Sequence, residues 1–342
     1  MNHDPGIKIW NIVFGVFGFL IIAILAVLLY MNALLNKINR VEDVLPTLSP
    51  EELQEYLLET QPTELSQIPT ELPETEPPTE APTEPPEPGS EIINVLLIGQ
   101  DRRTGQDRQR SDAMILCTIN TEKKTLVFTS FLRDTYVKFP RFYGSQYKSN
   151  RLNVPYLIGG MEMLDETLKL NFGVDVDYNV EVDFSGFKAI INMIGGVEIK
   201  LTQKEADHIN KVMENKELTR GVNLLSGEQA LIYARIRKFD SDFGRTNRQR
   251  KVLNSVFYQI RELPPTDIVN MLDDVLPLIT TDMTNEEILT CMFKVFPILT
   301  ELKVTTQHIP AEGAYWYDTV DGMSVVMPNY KRNIQILKDT IG

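Results

Sequence analysis

Three short stretches of the chain gather residue types that handle anions. The first, GQDRRTGQDRQRSD at residues 99–112, sets Asp101 and Asp112 beside Arg103 and Arg110. Carboxylates are hard oxygen ligands for Mg2+, and guanidinium groups grip phosphate oxygens through paired N–H donors, so this loop has what is needed to hold a cation and a phosphate together. Taken alone, it is equally a solvated charged loop. The second, SFLRDTYV, places Arg133 and Asp134 directly after an apolar run, where a local ion pair is the plain alternative. The third, YARIRKFDSDFGRTNRQRK, carries Arg235, Arg237, Arg245, Arg248 and Arg250 with Lys238 and Lys251, against only Asp240 and Asp242. Arg235 and Arg237 point the same way if their chain is extended; Arg245 and Gln249 lie four apart on one helical face, and Arg248 is three from Arg245. Forked cations this dense repel one another unless an anion sits between them, which points to bidentate phosphate contacts.

Other chemistries find little support. There is no GxxxxGK phosphate loop and no G-x-S-x-G elbow, and His3, His208 and His308 are too scattered for a zinc site. Cys117 lies in an apolar run and is read, with Cys291, as a free thiol rather than part of a disulfide framework.

The anion-handling stretches need a scaffold, and the hydrophobic pattern supplies one. IINVLLIG (92–99) is a nearly continuous apolar run, as expected of a strand buried on both faces. AMILCTIN and TLVFTSF, joined by the polar turn TEKK, read as a hairpin. The first charged stretch is then a loop between two strands, and the second leaves the end of the hairpin. Helical spacing follows in VPYLIGGMEMLDETLKLNF, then the strand NVEVDF, a helix GFKAIINMIG capped by Ser185 and ended by Gly195 and Gly196, and the strand VEIKL. SGEQ at 226–229 has capping-box form for a helix running to about Arg235; RTNRQRKVLNSVFYQIREL is a longer helix ending at Pro264, and TNEE at 284–287 opens another. VTTQHIP and MSVVMPN read as edge strands completing the same domain. The alternation predicts an α/β fold, an α-β-α sandwich around a mixed sheet, in one domain over 92–342.

The amino-terminal part is of another kind. Residues 1–8 form a short leading segment, and 9–31 predict a transmembrane helix: Ile9 to Tyr30 carries no charge and makes about 33 Å of helix. Residues 32–91 predict a linker. Pro46 to Glu91 holds 11 of the 20 prolines and 12 glutamates with no Lys or Arg, and repeats Pro-Thr-Glu at 62, 69, 78 and 82. Such a chain cannot build a core and is expected to be an extended, disordered stalk with a reach of about 140 Å. Its charge accounts for nearly all of the net −13, leaving 92–342 close to neutral with its arginines concentrated locally. That favours an anion site over a broad nucleic-acid surface.

The three charged stretches in this order, with NVLLIG before them, FSGF and IGGVEI between them, and LSGEQALIYARIR leading into DFGRTNRQR, resemble the LytR-CpsA-Psr family of cell-wall glycopolymer transferases. The resemblance covers roughly 92–263. It implies a single-pass protein of the cell membrane with a cytoplasmic amino terminus and an extracytoplasmic catalytic domain. The implied activity is a phosphotransferase moving a phospho-glycopolymer (teichoic acid, capsule or another wall polysaccharide) from a polyprenyl pyrophosphate carrier to peptidoglycan, with no nucleic-acid partner. It further implies Mg2+ on Asp101 and Asp112. Arg103, Arg110, Arg133, Arg235, Arg237 and Arg245 would surround the pyrophosphate, Gln249 would meet the head group, and Asp242 would order the arginines or assist acid-base work. Arg110, Arg133, Asp242 and Arg245 are the expected catalytic set. A membrane-tethered scaffold that binds the lipid-linked glycan without transferring it, or a pyrophosphatase, remains the alternative.

Overall fold

The computed structural model describes residues 29–40, 92–100, 110–140 and 149–341. All but the end of the expected transmembrane helix lies outside these residues, as do the Pro/Thr/Glu-rich stretch 41–91 and Asp101 and Arg103 of the first charged loop. Among the described residues no helix is long and apolar enough to cross a membrane.

A mixed seven-stranded sheet forms the centre. Its order is β1 (Asn39–Arg40), β10 (Ile279–Thr281), β7 (Tyr178–Asp183), β2 (Ile92–Gln100), β3 (Ser111–Asn120), β4 (Thr125–Phe131) and β11 (Lys303–Ile309). The expected hairpin is β3–β4, antiparallel, and β2 pairs antiparallel with β3 and parallel with β7. Side chains alternate across a strand. Met114 and Leu116 therefore join Leu96, Ile98 and Phe131 on one face, while Ile115 and Cys117 join Leu126 and Phe128 on the other. Helices α1 (Asn153–Phe172) and α8 (Tyr330–Ile341) close the first face through Leu164, Leu168, Phe172 and Leu337; α5 (Asp242–Glu262) and α7 (Asn285–Val295) close the second through Leu253, Phe257 and Val295. The architecture is the expected α-β-α sandwich.

A third cluster stands beside it. The ribbon β8 (Val197–Leu201) and β9 (Gly221–Leu225) packs with α2 (Phe184–Met193), α3 (Gln203–Val212), α4 (Gly227–Arg235) and α5 around Ile191, Ile199, Ile209, Tyr233 and Val252. VEIKL is thus a strand as expected, but outside the central sheet. Gly196, at φ +101, turns the chain where a side chain would stand 2.9 Å from the Leu225 carbonyl oxygen. The expected capping box forms at Ser226 with Gln229, and the helix expected to open at TNEE does so with a second box, at Thr284 with Glu287. Helix α2 is capped by Asp183, whose carboxylate accepts from Gly186 N at 2.7 Å. Ser185, the expected cap, is already the second residue of that helix. Of the closing stretch, β11 is an edge strand parallel to β4, whereas MSVVMP is β13 (Met323–Pro328) in a separate hairpin with β12 (Tyr315–Val320). A further short pair joins β5 (Tyr136–Lys138) to β6 (Ser149–Arg151).

The opposite edge holds a difference from the sequence reading. Residues 29–40, expected to be the end of an anchor and the start of a linker, pack onto the domain. Leu34, Leu35 and Ile38 are buried with Leu276 beside Leu272, Ile279, Ile288 and Leu289. β1 pairs parallel with β10, helped by Asn39 Nδ2 donating to Pro277 O at 2.8 Å. Asn285 donates to Asn32 and Asn36 at 2.9 and 2.7 Å, and Lys37 pairs with Asp273. Arg40 and Ile92 both belong to the central sheet, so the stretch between them starts and ends on the domain.

Candidate functional site

The β3–β4 register builds the site. Leu116 faces Thr129 and Ile115 faces Ser130; carried past the end of β4, the same register sets Arg133 opposite Asp112, and Arg133 Nη1 donates to Asp112 Oδ1 at 2.8 Å. Two more carboxylates approach Arg133 Nε: Asp134 Oδ1 at 3.7 Å and Asp242 Oδ1 at 3.9 Å. Asp242 opens α5, which brings Arg245 Nη2 to 2.6 Å from Asp242 Oδ1 one turn later. Arg237, in the loop after α4, places Nη2 3.7 Å from Asp112 Oδ1. Arg151 of β6 has Nε 3.6 Å from Asp134 Oδ1. Arg110, at the start of the described segment, senses Arg151 and Arg133: its pKa is lowered by burial first, and then by those two cations.

Five arginines against three aspartates leave an excess of positive charge around largely buried groups. Burial raises the pKa of Asp242 above the ordinary carboxylate range, against the pull of Arg245 and with the help of Asp134. Burial likewise depresses Arg245 to about 10, with Asp242 only partly compensating. The hydrogen bonding is incomplete in the same place. Among the described residues, Arg133 Nε, Asp134 Oδ1, Arg151 Nε, Asp242 Oδ2 and all three guanidinium nitrogens of Arg245 are buried without a hydrogen-bond partner. The close Arg245–Asp242 approach is thus a charge contact that lacks the geometry of a hydrogen bond. Buried polar groups are nearly always paired, so this concentration marks a place built for a ligand's oxygens.

The other expected site residues divide. Gln249, half-buried, follows Asp242 and Arg245 by seven and four residues on one helical face. Arg235 ends α4 and lies over the Phe184 ring at 4.5 Å. Being helical, it does not alternate with Arg237 as in an extended chain. Arg248, expected to share the Arg245 side, turns away. Its Nε donates to Glu205 at 2.8 Å, its Nη1 and Nη2 donate to Asp240 at 3.0 and 2.7 Å, and Nη1 also reaches the Ile236 carbonyl. Gly244 makes room for that clamp, since a Cβ there would stand 2.1 Å from the Asp240 carboxyl carbon. Asp134, noted beside Arg133 in the second charged stretch but given no site role, joins the centre, and so does Arg151, which was not singled out. The only cue to Arg151 was a short SNR run that pairs with the strand just after Arg133 and Asp134.

Among the described residues no three His, Cys, Asp or Glu side chains form a metal site. Asp112 is held by Arg133 and approached by Arg237, and its expected partner as a cation ligand, Asp101, lies outside the described residues. Gln100, just before Asp101, is also held: it donates to buried Glu181, which accepts from the Tyr156 hydroxyl.

A profile of the LytR_cpsA_psr family matches residues 67–340. The chain belongs to that family. The TagU polyisoprenyl-teichoic acid–peptidoglycan teichoic acid transferase of Bacillus anthracis is 34% identical over 49% of this chain and 52% of that protein. The chain thus spans about half the length of the curated TagU relatives it matches. TagT of Bacillus subtilis, named for the same transfer, is 32% identical over 64% of this chain and 67% of that protein. The crystal structure of B. subtilis TagT matches with a TM-score of 0.59 at 27% identity, covering 75% of this chain and 91% of that one. TagT with bound octaprenyl pyrophosphate lipid matches at 0.57 and 26% identity, over 75% and 90%. The mixed-sheet sandwich of this family member is therefore the fold of solved LytR_cpsA_psr structures.

Proposed function

We propose that this LytR_cpsA_psr domain transfers a phospho-glycan from a polyprenyl pyrophosphate to a hydroxyl of peptidoglycan. The observation that carries this reading is the set of buried, unpartnered guanidinium and carboxylate atoms at Arg133, Arg151, Asp242 and Arg245. TagU and TagT, named for such a transfer, support it by likeness.

Transfer from a pyrophosphate requires neutralising the transferred and leaving phosphates and aligning an acceptor hydroxyl, with no need for a protein nucleophile. In this proposal Arg110, Arg133, Arg237 and Arg245 hold the pyrophosphate oxygens, Arg103 and Arg235 add charge at the rim, and Gln249 contacts the head group. Asp242, whose raised pKa makes it a better base than an ordinary carboxylate, takes the proton of the acceptor hydroxyl. That oxygen then bonds to the glycan-bearing phosphorus as the bond to the bridging oxygen breaks, and polyprenyl phosphate leaves. Asp101 and Asp112 would hold Mg2+, which supplies further charge neutralisation on the phosphates. With too few protein ligands for a closed cage, the donor set suits an ion that keeps waters and phosphate oxygens. The domain would lie outside the cell, anchored by residues 9–31, with the amino terminus cytoplasmic.

The test is transfer by full-length protein in detergent, with a polyprenyl-pyrophosphate-linked glycan, a peptidoglycan oligomer and Mg2+, read by mass spectrometry. A phosphodiester-linked product, absent with Arg133→Ala, is expected. Tight donor binding without product across several donors would establish the scaffold instead.

A further inference from the structure

The hairpin β12–β13 stands against the arginine centre and carries aromatic rings for which the phosphate chemistry has no use. Its backbone is tied there: Val326 N donates to Asp134 O at 2.9 Å, Thr135 bridges to Val326, and Arg151 Nη2 donates to Ser324 O at 2.7 Å. Phe243, next to Asp242, stacks on Tyr315 with centroids 4.6 Å apart and planes at 27°, and Tyr315 meets Tyr317 edge-on at 5.8 Å. Residues two apart share a strand face, so Tyr315 and Tyr317 extend the Phe243 contact into a row of three rings, and Phe243 follows Asp242 in α5. The row ends in solvent, where Tyr317 is 60% exposed and is followed by exposed Asp318 and Thr319. The inner strand is well packed, with Met323, Val325 and Val326 buried, so the open outer strand is not a consequence of a missing core.

Resting on the transferase reading, we propose that Tyr317, backed by Tyr315, is a stacking platform for a sugar ring of the acceptor glycan further along the chain from the hydroxyl that is attacked. A hexosamine ring presents a C–H face to an aromatic surface and hydroxyls at its rim. The tyrosine rings offer the matching apolar face, and Thr319, two residues along on the same strand face, offers a polar edge. The row begins at the residue that follows Asp242, the proposed base, and runs to the exposed Tyr317, as a polymeric acceptor must run outward once one of its hydroxyls is in place. A polyprenyl tail has no groups for that polar rim. The bilayer interface, which also attracts tyrosine and tryptophan, is the competing occupant.

The test compares the full-length protein, Tyr317→Ala and Tyr317→Phe in detergent for calorimetric binding of a soluble peptidoglycan glycan oligomer, and for transfer and donor hydrolysis. Tyr317→Ala is expected to weaken oligomer binding and raise acceptor KM about two- to twelve-fold, the range of one aromatic contact, leaving donor KM unchanged. Tyr317→Phe keeps the ring and should stay within about two-fold. Oligomer binding by Tyr317→Ala equal to native, or no binding by the native protein, overturns the platform, while donor cleavage in the same preparation still tests the transferase reading separately. Tyr317-dependent binding without any transfer upholds the platform and sinks the transferase. A spin label on Thr319→Cys that reports immersion in the bilayer of the reconstituted protein, with no oligomer binding, assigns the face to the bilayer and overturns the proposal.

Discussion

Arg245 and Arg248 stand three residues apart on α5, 2% and 5% exposed, and the protein surrounds them in opposite ways. Arg248 is met on every side. Burial alone would lower its pKa, but Asp240 and Glu205 outweigh that and hold it above the ordinary value. Glu205 in turn is drawn down by hydrogen bonds from Thr202 and Arg248 despite its own burial. Arg245 has one carboxylate close by and no hydrogen bond from any of its nitrogens. A buried cation completed by the protein's own acids belongs to the fold, whereas one left short of acceptors is held for something that arrives.

The contrast can be broken most sharply by truncation. Arg248→Ala strands Glu205 in the interior and should cost about 3–5 kcal/mol, read as a lower urea midpoint. Arg245→Ala removes an under-compensated charge and should cost far less; equal losses would erase the distinction. Activity should reverse the order, with Arg245→Ala lowering turnover about 100- to 1,000-fold, as loss of a transition-state donor does. Arg245→Lys should recover little, because an ammonium lacks the planar fork, and near-native turnover in it would mean that charge alone suffices. Inorganic pyrophosphate with Mg2+, at about 100 times its Kd, should stabilise the native protein by about 2.7 kcal/mol in thermal unfolding. That gain should vanish in Arg245→Ala and survive in Asp240→Asn, which touches only the Arg248 clamp. The pH profile is the finest probe. Asp242 acts deprotonated, and burial raises its pKa, so activity should fall as pH drops through a value above the ordinary carboxylate pKa of about 3.9. An acid limb that persists unchanged in Asp242→Asn would assign the proton to another group.

Much of the scaffold was legible because its signals are local. The TEKK turn fixes the β3–β4 register, and that register alone predicts that Asp112 and Arg133 meet. Capping boxes at Ser226 and Thr284 could be read from four residues each. The docking of residues 29–40 was not legible: composition sets the Pro/Thr/Glu-rich stretch apart, but nothing in LLNKINR announces that Leu34, Leu35 and Ile38 are matched to Leu276, some 240 residues on. Arg151 escaped for a similar reason, reaching the centre only through a two-strand pairing across the 141–148 segment.

By itself the sequence determined that arginines and aspartates would crowd the ends of buried strands, because periodicity and turn chemistry act within a few residues. The family resemblance named Arg245 and not Arg248 for a ligand, but the physical reason for that difference was decided only by the tertiary structure. Helical spacing places Arg245 and Arg248 within one turn of each other, and their fates differ because α3 brings Glu205 to one and not to the other. The work of a buried charge depends on what the rest of the chain sets against it, and that partner lies 43 residues away.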